Sequence, residues 1–83
     1  ANDMAPKVGR LQHLVLTAIK DAGPSGRTTN EVAELLDIDR GSIQPRTSEL
    51  KAFGFIEDSR LRRLNANGKK AIVWIAVRGT TNG

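Results

Sequence analysis

Hydrophobic residues recur at helical spacing in the first quarter of the chain. Within residues 8–22 these positions are Val8, Leu11, Val15, Ala18 and Ile19, with Leu14 beside them. Apolar residues three and four positions apart lie on one face of a helix, so the segment predicts an amphipathic first helix. The Gly-Pro-Ser-Gly segment at 23–26 ends it, since proline cannot continue a helix and glycine is favoured just past a helix end.

A second and shorter helix is predicted after this turn. Thr28 and Glu31 have capping-box spacing, in which each side chain accepts a hydrogen bond from the other residue's backbone. The helix is expected to end near residue 36 or 37, and the tight connection at 37–41 places Ile38 in the core. Its apolar stripe is formed by Val32, Ala33, Leu35 and Leu36.

The third predicted helix contains a proline near its beginning. With Ser42 as the N-cap, Pro45 falls in the first turn, where backbone N–H groups have no partner within the helix. The helix then covers about 43–53, and Gly54 closes it. A helical projection puts Ile43, Thr47 and Leu50 on the buried side, with Gln44, Pro45, Ser48 and Ala52 facing away.

After Gly54 the pattern changes to that of β-strands. Residues 55–58 begin one strand, and 71–77, rich in β-branched residues, form another. Asn67-Gly68 predicts a two-residue hairpin turn. In that register Leu64 lies opposite Ala71, Arg62 opposite Val73 and Leu61 opposite Trp74. Segment 59–70 then forms the outgoing strand and tip of a basic hairpin.

The 83 residues make one domain at most, and their charge is distributed unevenly along the chain. Residues 1–39 carry four basic and six acidic side chains, a net charge of −2, whereas residues 40–83 carry nine and three, a net charge of +6. A positive charge concentrated in one half favours a polyanionic partner, and nucleic acid before a membrane surface.

The segment TTNEVAELLDIDRGSIQPRTSELKAFGFI, followed by a basic hairpin, resembles the winged helix-turn-helix domain of bacterial regulators. The hairpin is similar to that of small phage- and prophage-encoded proteins with this domain. The resemblance implies an α+β fold of three helices followed by a two- or three-stranded antiparallel hairpin wing. The domain would cover 8–77, with a flexible lead-in at 1–7 and a frayed tail at 78–83.

The resemblance also implies binding of double-stranded DNA, in a transcriptional regulator or an accessory to DNA transactions. The third helix would enter the major groove and the wing would lie on the phosphate backbone. The residues expected to contact DNA are Arg40, Ser42, Gln44, Arg46, Ser48 and Lys51 from the third helix and its N-terminus, and Arg60, Arg62, Arg63, Lys69 and Lys70 from the wing.

Several of these residues also have a purely structural interpretation. Arg46 could pair with Glu49 at i, i+3 on the helix surface. Arg62 and Arg63 are neighbours in a strand, so they cannot point to the same face. Trp74, in a β-branched strand, is expected in the core rather than as a stacking platform.

No catalytic or metal site is expected. The chain has no cysteine and one exposed histidine, His13, and it shows neither a nucleophile-base arrangement nor a glycine-rich phosphate loop. We therefore expect no enzyme activity, no cofactor, no small-molecule ligand and no membrane partner, and a cytoplasmic location. The alternative function is that of a protein-interaction module in a larger assembly. A third possible function is binding of RNA, single-stranded DNA or left-handed DNA. The oligomeric state, whether a monomer, a weak dimer or a cooperative array on DNA, stays open.

Overall fold

The structure, a computed structural model, describes residues 9–77 as three helices followed by an antiparallel hairpin. The helices are α1 (Arg10–Asp21), α2 (Thr29–Leu36) and α3 (Arg40–Phe53), and the strands are β1 (Ile56–Leu64) and β2 (Lys70–Ala76). A short 3₁₀ helix, Gly23–Ser25, follows α1. Val8, the predicted lead-in at 1–7 and the predicted tail at 78–83 lie outside the described residues.

The three helices and the base of the hairpin enclose one hydrophobic core, and most of the predicted core residues are in it. Leu35 is an exception: it was predicted in the apolar stripe of α2 but is 54% exposed. Ile38 packs against the core in a half-buried position, as predicted. The buried core consists of Val15, Ala18, Ile19, Val32, Ala33, Ile43, Leu50, Ile56 and Trp74.

Both ends of α2 follow from local sequence signals. The Oγ1 atom of Thr28 accepts a hydrogen bond from the Glu31 N–H at 3.1 Å, and Glu31 Oε1 accepts one from the Thr28 N–H at 2.9 Å. The predicted capping box is therefore confirmed. At the other end Asp37 adopts the left-handed conformation, with φ of 57°, which stops the helix and turns the chain towards α3.

The predicted start of α3 is wrong by three residues. Asp39, and not Ser42, is the N-cap: its Oδ2 atom accepts a hydrogen bond from the Gly41 N–H at 2.9 Å, and the Ser42 N–H already donates to the Asp39 carbonyl at 2.9 Å. Aspartate and serine are equally good N-caps, so the local sequence does not choose between them. Pro45 consequently lies in the second turn, and the carbonyl of Gly41 loses a helical donor. Both residues are exposed, so water can hydrogen-bond to that carbonyl.

The end of α3 agrees with the prediction. Gly54 adopts the left-handed conformation with φ of 87°. The Phe55 N–H donates to the Leu50 carbonyl at 2.9 Å, and the Gly54 N–H donates to the Lys51 carbonyl at 3.0 Å. These bonds satisfy carbonyl groups that a helix end leaves without partners, and they direct the chain into β1.

The hairpin forms as predicted, but its register is shifted by one residue. The connection is a three-residue loop, 66–68, in which the Gly68 N–H donates to the Asn65 carbonyl at 2.9 Å. Gly68 has φ of 84°, which suits a turn followed by a left-handed residue. Leu64 therefore lies opposite Lys70 rather than Ala71, and Arg62 opposite Ile72 rather than Val73. A shift of one residue exchanges the faces of the paired side chains.

A bulge in β1 accounts for the remaining difference in register. Asp58 pairs with Trp74 and Arg62 with Ile72, so the three residues 59–61 face Val73 alone. Leu61, predicted opposite Trp74, lies in this bulge. Trp74 itself also exchanges two backbone hydrogen bonds with Arg27, of 3.0 and 2.9 Å, which adds a one-residue third strand to the sheet.

Candidate nucleic-acid interface

A polar groove of about 480 Å³ lies between α3, the N-terminus of α2 and the base of the hairpin. None of the described residues that line it is acidic, and two are basic. The remaining polar side chains are amides and hydroxyls, which can donate hydrogen bonds. The lining residues are Thr29, Asn30, Arg40, Gln44, Thr47, Ser48, Lys51, Asn65, Ala71, Ile72 and Trp74.

Four of the six predicted DNA-contacting residues of α3 are on the edge that faces this groove. Arg40, Gln44, Ser48 and Lys51 are separated by four, four and three residues, so they form one continuous row along the helix. All four are exposed. The buried stripe of α3, including Thr47, runs beside this row and holds it at a fixed orientation to the core.

Arg46 and Ser42 lie on the other edge of α3. The guanidinium of Arg46 forms two hydrogen bonds with Glu49, from Nε at 2.7 Å and from Nη2 at 2.9 Å. Gln12 of α1 donates to the same carboxylate at 2.7 Å. Arg46, followed by Gln12, holds the pKa of the Glu49 carboxyl below its usual value. The guanidinium of Arg46 thus takes part in a brace between α1 and α3.

The two faces of the hairpin differ in what they offer. Cross-strand partners share a face of the hairpin. Leu64 and Lys70 therefore lie on one face, together with the pair Arg62 and Ile72. Of these, Ile72 lines the groove. Arg63, on the other face, hydrogen-bonds with Glu31 of α2 and donates to the Ser25 carbonyl at 2.9 Å. Arg62 and Arg63 therefore point in opposite directions, as predicted.

Arg63 and Glu31 connect the hairpin to α2. Burial tends to raise the pKa of Glu31, but hydrogen bonds from the Arg63 guanidinium and the Thr28 N–H outweigh it and leave the pKa lowered. The same carboxylate thus completes the capping box and fixes the hairpin. Both side chains of the ion pair are more than one-third exposed, so the pair contributes little stability by itself.

The bulge displays Arg60 in an unusual conformation. Its φ is 75°, a left-handed value that non-glycine residues rarely adopt. Asp58 Oδ1 accepts a hydrogen bond from the Arg60 N–H at 2.7 Å and one from Arg62 Nη1 at 2.9 Å. These two donors, Arg62 first, hold the pKa of Asp58 below its usual value. The Arg60 side chain is exposed.

Lys69 and Lys70 lie at the tip of the hairpin and are both exposed. The side-chain oxygen of Asn67 accepts a hydrogen bond from the Lys69 N–H at 3.0 Å, so Asn67 serves the turn. Trp74 is 8% exposed and its Nε1 donates to Thr29 Oγ1 at 3.3 Å, which confirms its expected place in the core. His13 is exposed, as predicted.

The sequence did not indicate three residues of the groove, Thr29, Asn30 and Asn65. Asn30 and Asn65 are separated by 35 positions and meet only because α2 and the hairpin pack beside α3. Asn30 Oδ1 is buried and has no hydrogen-bond partner among the described residues. The capping box locates Thr29 and Asn30 in the first turn of α2, but no sequence signal relates that turn to α3.

Within residues 9–77 no helix is long and apolar enough to cross a membrane. In the same range no three or more histidine, cysteine, aspartate or glutamate side chains are grouped so that they could hold a metal ion.

Three helices, a tight α2–α3 turn and an antiparallel hairpin define a winged helix-turn-helix domain, and this is the fold of the chain. Among solved structures it is similar to that of the transcriptional regulator SlyA, with a TM-score of 0.59 and 28% sequence identity. The match covers 81% of this chain and 43% of the SlyA chain, so it spans less than half of that protein. Comparisons with protein-family models and with curated proteins give no match.

Proposed function

We propose that this domain binds double-stranded DNA, as part of a bacterial or phage regulator of transcription or an accessory to DNA transactions. The observation that carries the proposal is the groove between α3 and the hairpin, lined by Arg40, Lys51 and neutral hydrogen-bonding side chains and by no acidic residue. Such a surface suits a phosphate backbone, because it supplies cations and donors without a repelling carboxylate.

The outward face of α3 suits the major groove. Its outermost positions are Gly41, Pro45, Ser48 and Ala52, all exposed and all small. Small side chains allow the helix axis to approach the base edges, and the major groove, about 12 Å wide, admits a helix. Gln44, beside this line, has the paired donor and acceptor that read adenine.

The basic side chains on either side of this face would contact phosphates. Lys51 and Arg40 belong to the groove, and Arg60, Arg62, Lys69 and Lys70 belong to the hairpin. The ion pair between Arg62 and Asp58 is exposed. Exposed ion pairs are weak, so a phosphate can replace the carboxylate. Arg46, Ser42 and Arg63 are placed less favourably for DNA, since Arg46 and Ser42 lie on the other edge of α3 and Arg63 lies on the opposite face of the hairpin.

The test is a fluorescence-anisotropy titration of the purified domain against a labelled mixed-sequence duplex at several salt concentrations. We expect affinity to fall steeply with salt, because phosphate contacts release counterions. Lys51→Ala should weaken binding and make the slope of log K against log salt shallower by about 1.

Lys20→Ala is the matched control for this test. Lys20 and Lys51 are both exposed lysines in the last turn of a helix, so each favours its helix end in the same way. Lys20 lies on α1, away from the groove. Equal effects of the two substitutions, or no binding by the folded wild type at low salt, would contradict the proposal.

A docking role in a larger assembly is the second candidate. A mostly apolar groove of about 760 Å³ lies beside the end of α1, where Lys20 is the one charged residue among its described lining. The apolar part is formed by Gly23, Pro24, Ile75, Ala76 and Val77. If the folded domain does not bind duplex DNA at low salt, a pull-down with a candidate partner tests this groove. Ile75→Glu should then capture less of the partner than the wild type does.

A further inference from the structure

Leu64 is the most exposed of the large hydrophobic residues in the described part of the chain, at 65%. It is the last residue of β1 and is followed by Asn65 and then by the hairpin loop at 66–68. A single exposed leucine is ordinary on a protein surface and by itself carries no meaning. Its surroundings make this one informative.

Leu64 lies beside positive charges and behind a narrow tip. Lys70 is its cross-strand partner, and Arg62, two residues earlier, shares its face. The loop that follows contains Ala66, Asn67 and Gly68, which are all small. Behind this short loop an exposed leucine therefore has one cation across the strand pair and a second, paired with Asp58, two residues back along its own strand.

This arrangement is complementary in charge and shape to the DNA minor groove. The minor groove is about 6 Å wide, and phosphates line both of its edges. Proteins that bind there often insert an apolar side chain between base steps, which partly unstacks the bases and bends the duplex. A protein partner would not require cations beside the leucine, whereas the phosphates of a duplex do.

We propose that Leu64 enters the minor groove as an apolar wedge, with Arg62 and Lys70 on the flanking phosphates, and that the domain thereby bends its DNA. The inference rests on the proposed DNA binding and adds to it a mode of contact and a deformation. Ile72, which shares the face of Leu64, lines the groove beside α3 together with its neighbour Ala71 and with Asn65, so α3 and the wedge would act on one duplex.

The hairpin contains a matched control for the wedge. Leu61 is 54% exposed and belongs to the same strand. It lies in the bulge at 59–61, outside the regular pairing that places Leu64 opposite Lys70. Leu61→Ser and Leu64→Ser thus remove equally large exposed side chains from two separate places on one strand, without touching the core.

The first readout is bending, measured by energy transfer between dyes at the two ends of a short duplex. We expect the wild type and Leu61→Ser to increase the transfer on binding. Leu64→Ser should bind through its remaining cations, about tenfold more weakly or worse, because a leucine loses its burial, and should leave the transfer unchanged. Leu64→Met, which keeps an apolar side chain, should restore the bend.

The second readout places the contact in the minor groove. Inosine in place of guanine removes the amino group from the minor groove and leaves the donors and acceptors of the major groove unchanged. Wild type and Leu61→Ser should prefer the inosine duplex, and Leu64→Ser should lose this preference.

Two results would overturn the inference, and they differ from each other. If the wild type binds and Leu64→Ser matches Leu61→Ser in both readouts, the wedge is wrong while DNA binding stands. If the folded wild type binds neither duplex at low salt, the proposed function and the wedge are both wrong.

Discussion

Gly26→Ala is the substitution whose effect the structure determines most sharply. Gly26 has φ of 67° and ψ of −177°, a backbone conformation that residues other than glycine hardly ever adopt. A Cβ atom at this position would lie 2.3 Å from the Trp74 carbonyl oxygen and 2.7 Å from Val73 Cγ1. The backbone must therefore move away from β2, which breaks the two hydrogen bonds between Arg27 and Trp74.

The expected loss is a large fraction of the total stability. Backbone strain of this kind costs about 1–3 kcal/mol, and each lost hydrogen bond adds about 0.5–1.5 kcal/mol. The sum is about 2–6 kcal/mol before the steric overlap is counted, whereas a chain of 83 residues has about 4–12 kcal/mol to lose. We expect Gly26→Ala to be largely unfolded or only marginally stable.

Gly23→Ala is the control, three residues earlier in the same turn. Gly23 also has a positive φ, of 60°, but a Cβ atom there would meet nothing within 4 Å. We expect it to cost only the conformational strain, about 1–2 kcal/mol. Urea titration, with unfolding monitored by circular dichroism, measures the free energy of unfolding of both variants. Equal losses for the two variants would refute the reasoning, because the close approach to β2 would then contribute nothing.

Two further substitutions test ion pairs. Arg46→Ala should lower the melting temperature slightly. It should reduce DNA affinity less than Lys51→Ala does, because the Arg46 guanidinium is bound to Glu49. A loss of affinity confined to one base position of the duplex would show instead that Arg46 reads a base. The pKa of Glu31 is lowered from 4.5, so its ion pair with Arg63 stabilises the fold above that pH and is lost as pH falls through the folded-state value. Glu31→Gln keeps the capping box, so urea unfolding should show a small deficit in stability at pH 7 that shrinks as the pH falls below 4.5. A deficit independent of pH would exclude the ion pair as its cause.

The groove illustrates how far the sequence could predict the candidate site. Gln44, Ser48 and Lys51 were expected on the exposed surface of the third helix, because helical periodicity separates them from the buried stripe. Asn30 and Asn65 were not expected there, because their place depends on how α2 and the hairpin pack. The DNA contacts of all these residues stay predictions.

Local sequence patterns specify the order of the elements and their ends, except for the start of α3. The capping box of Thr28 and Glu31 and Gly54 at the end of α3 act over at most five residues, and the helical and strand periodicities act within single elements. Such signals are present before the chain folds, since they depend on neighbours in sequence. They were sufficient for the order of elements and for the winged helix-turn-helix fold.

Packing between the elements selects among alternatives that are locally equivalent. Asp39 and Ser42 are both competent N-caps, and the two- and three-residue hairpin loops both suit Asn67-Gly68. The brace from Arg46 through Glu49 to Gln12, like the ion pair that joins Arg63 to Glu31, links residues more than 30 positions apart. The N-cap, the loop and the side-chain contacts that form depend on how whole elements pack, because the burial of the shared core outweighs the small local differences in free energy.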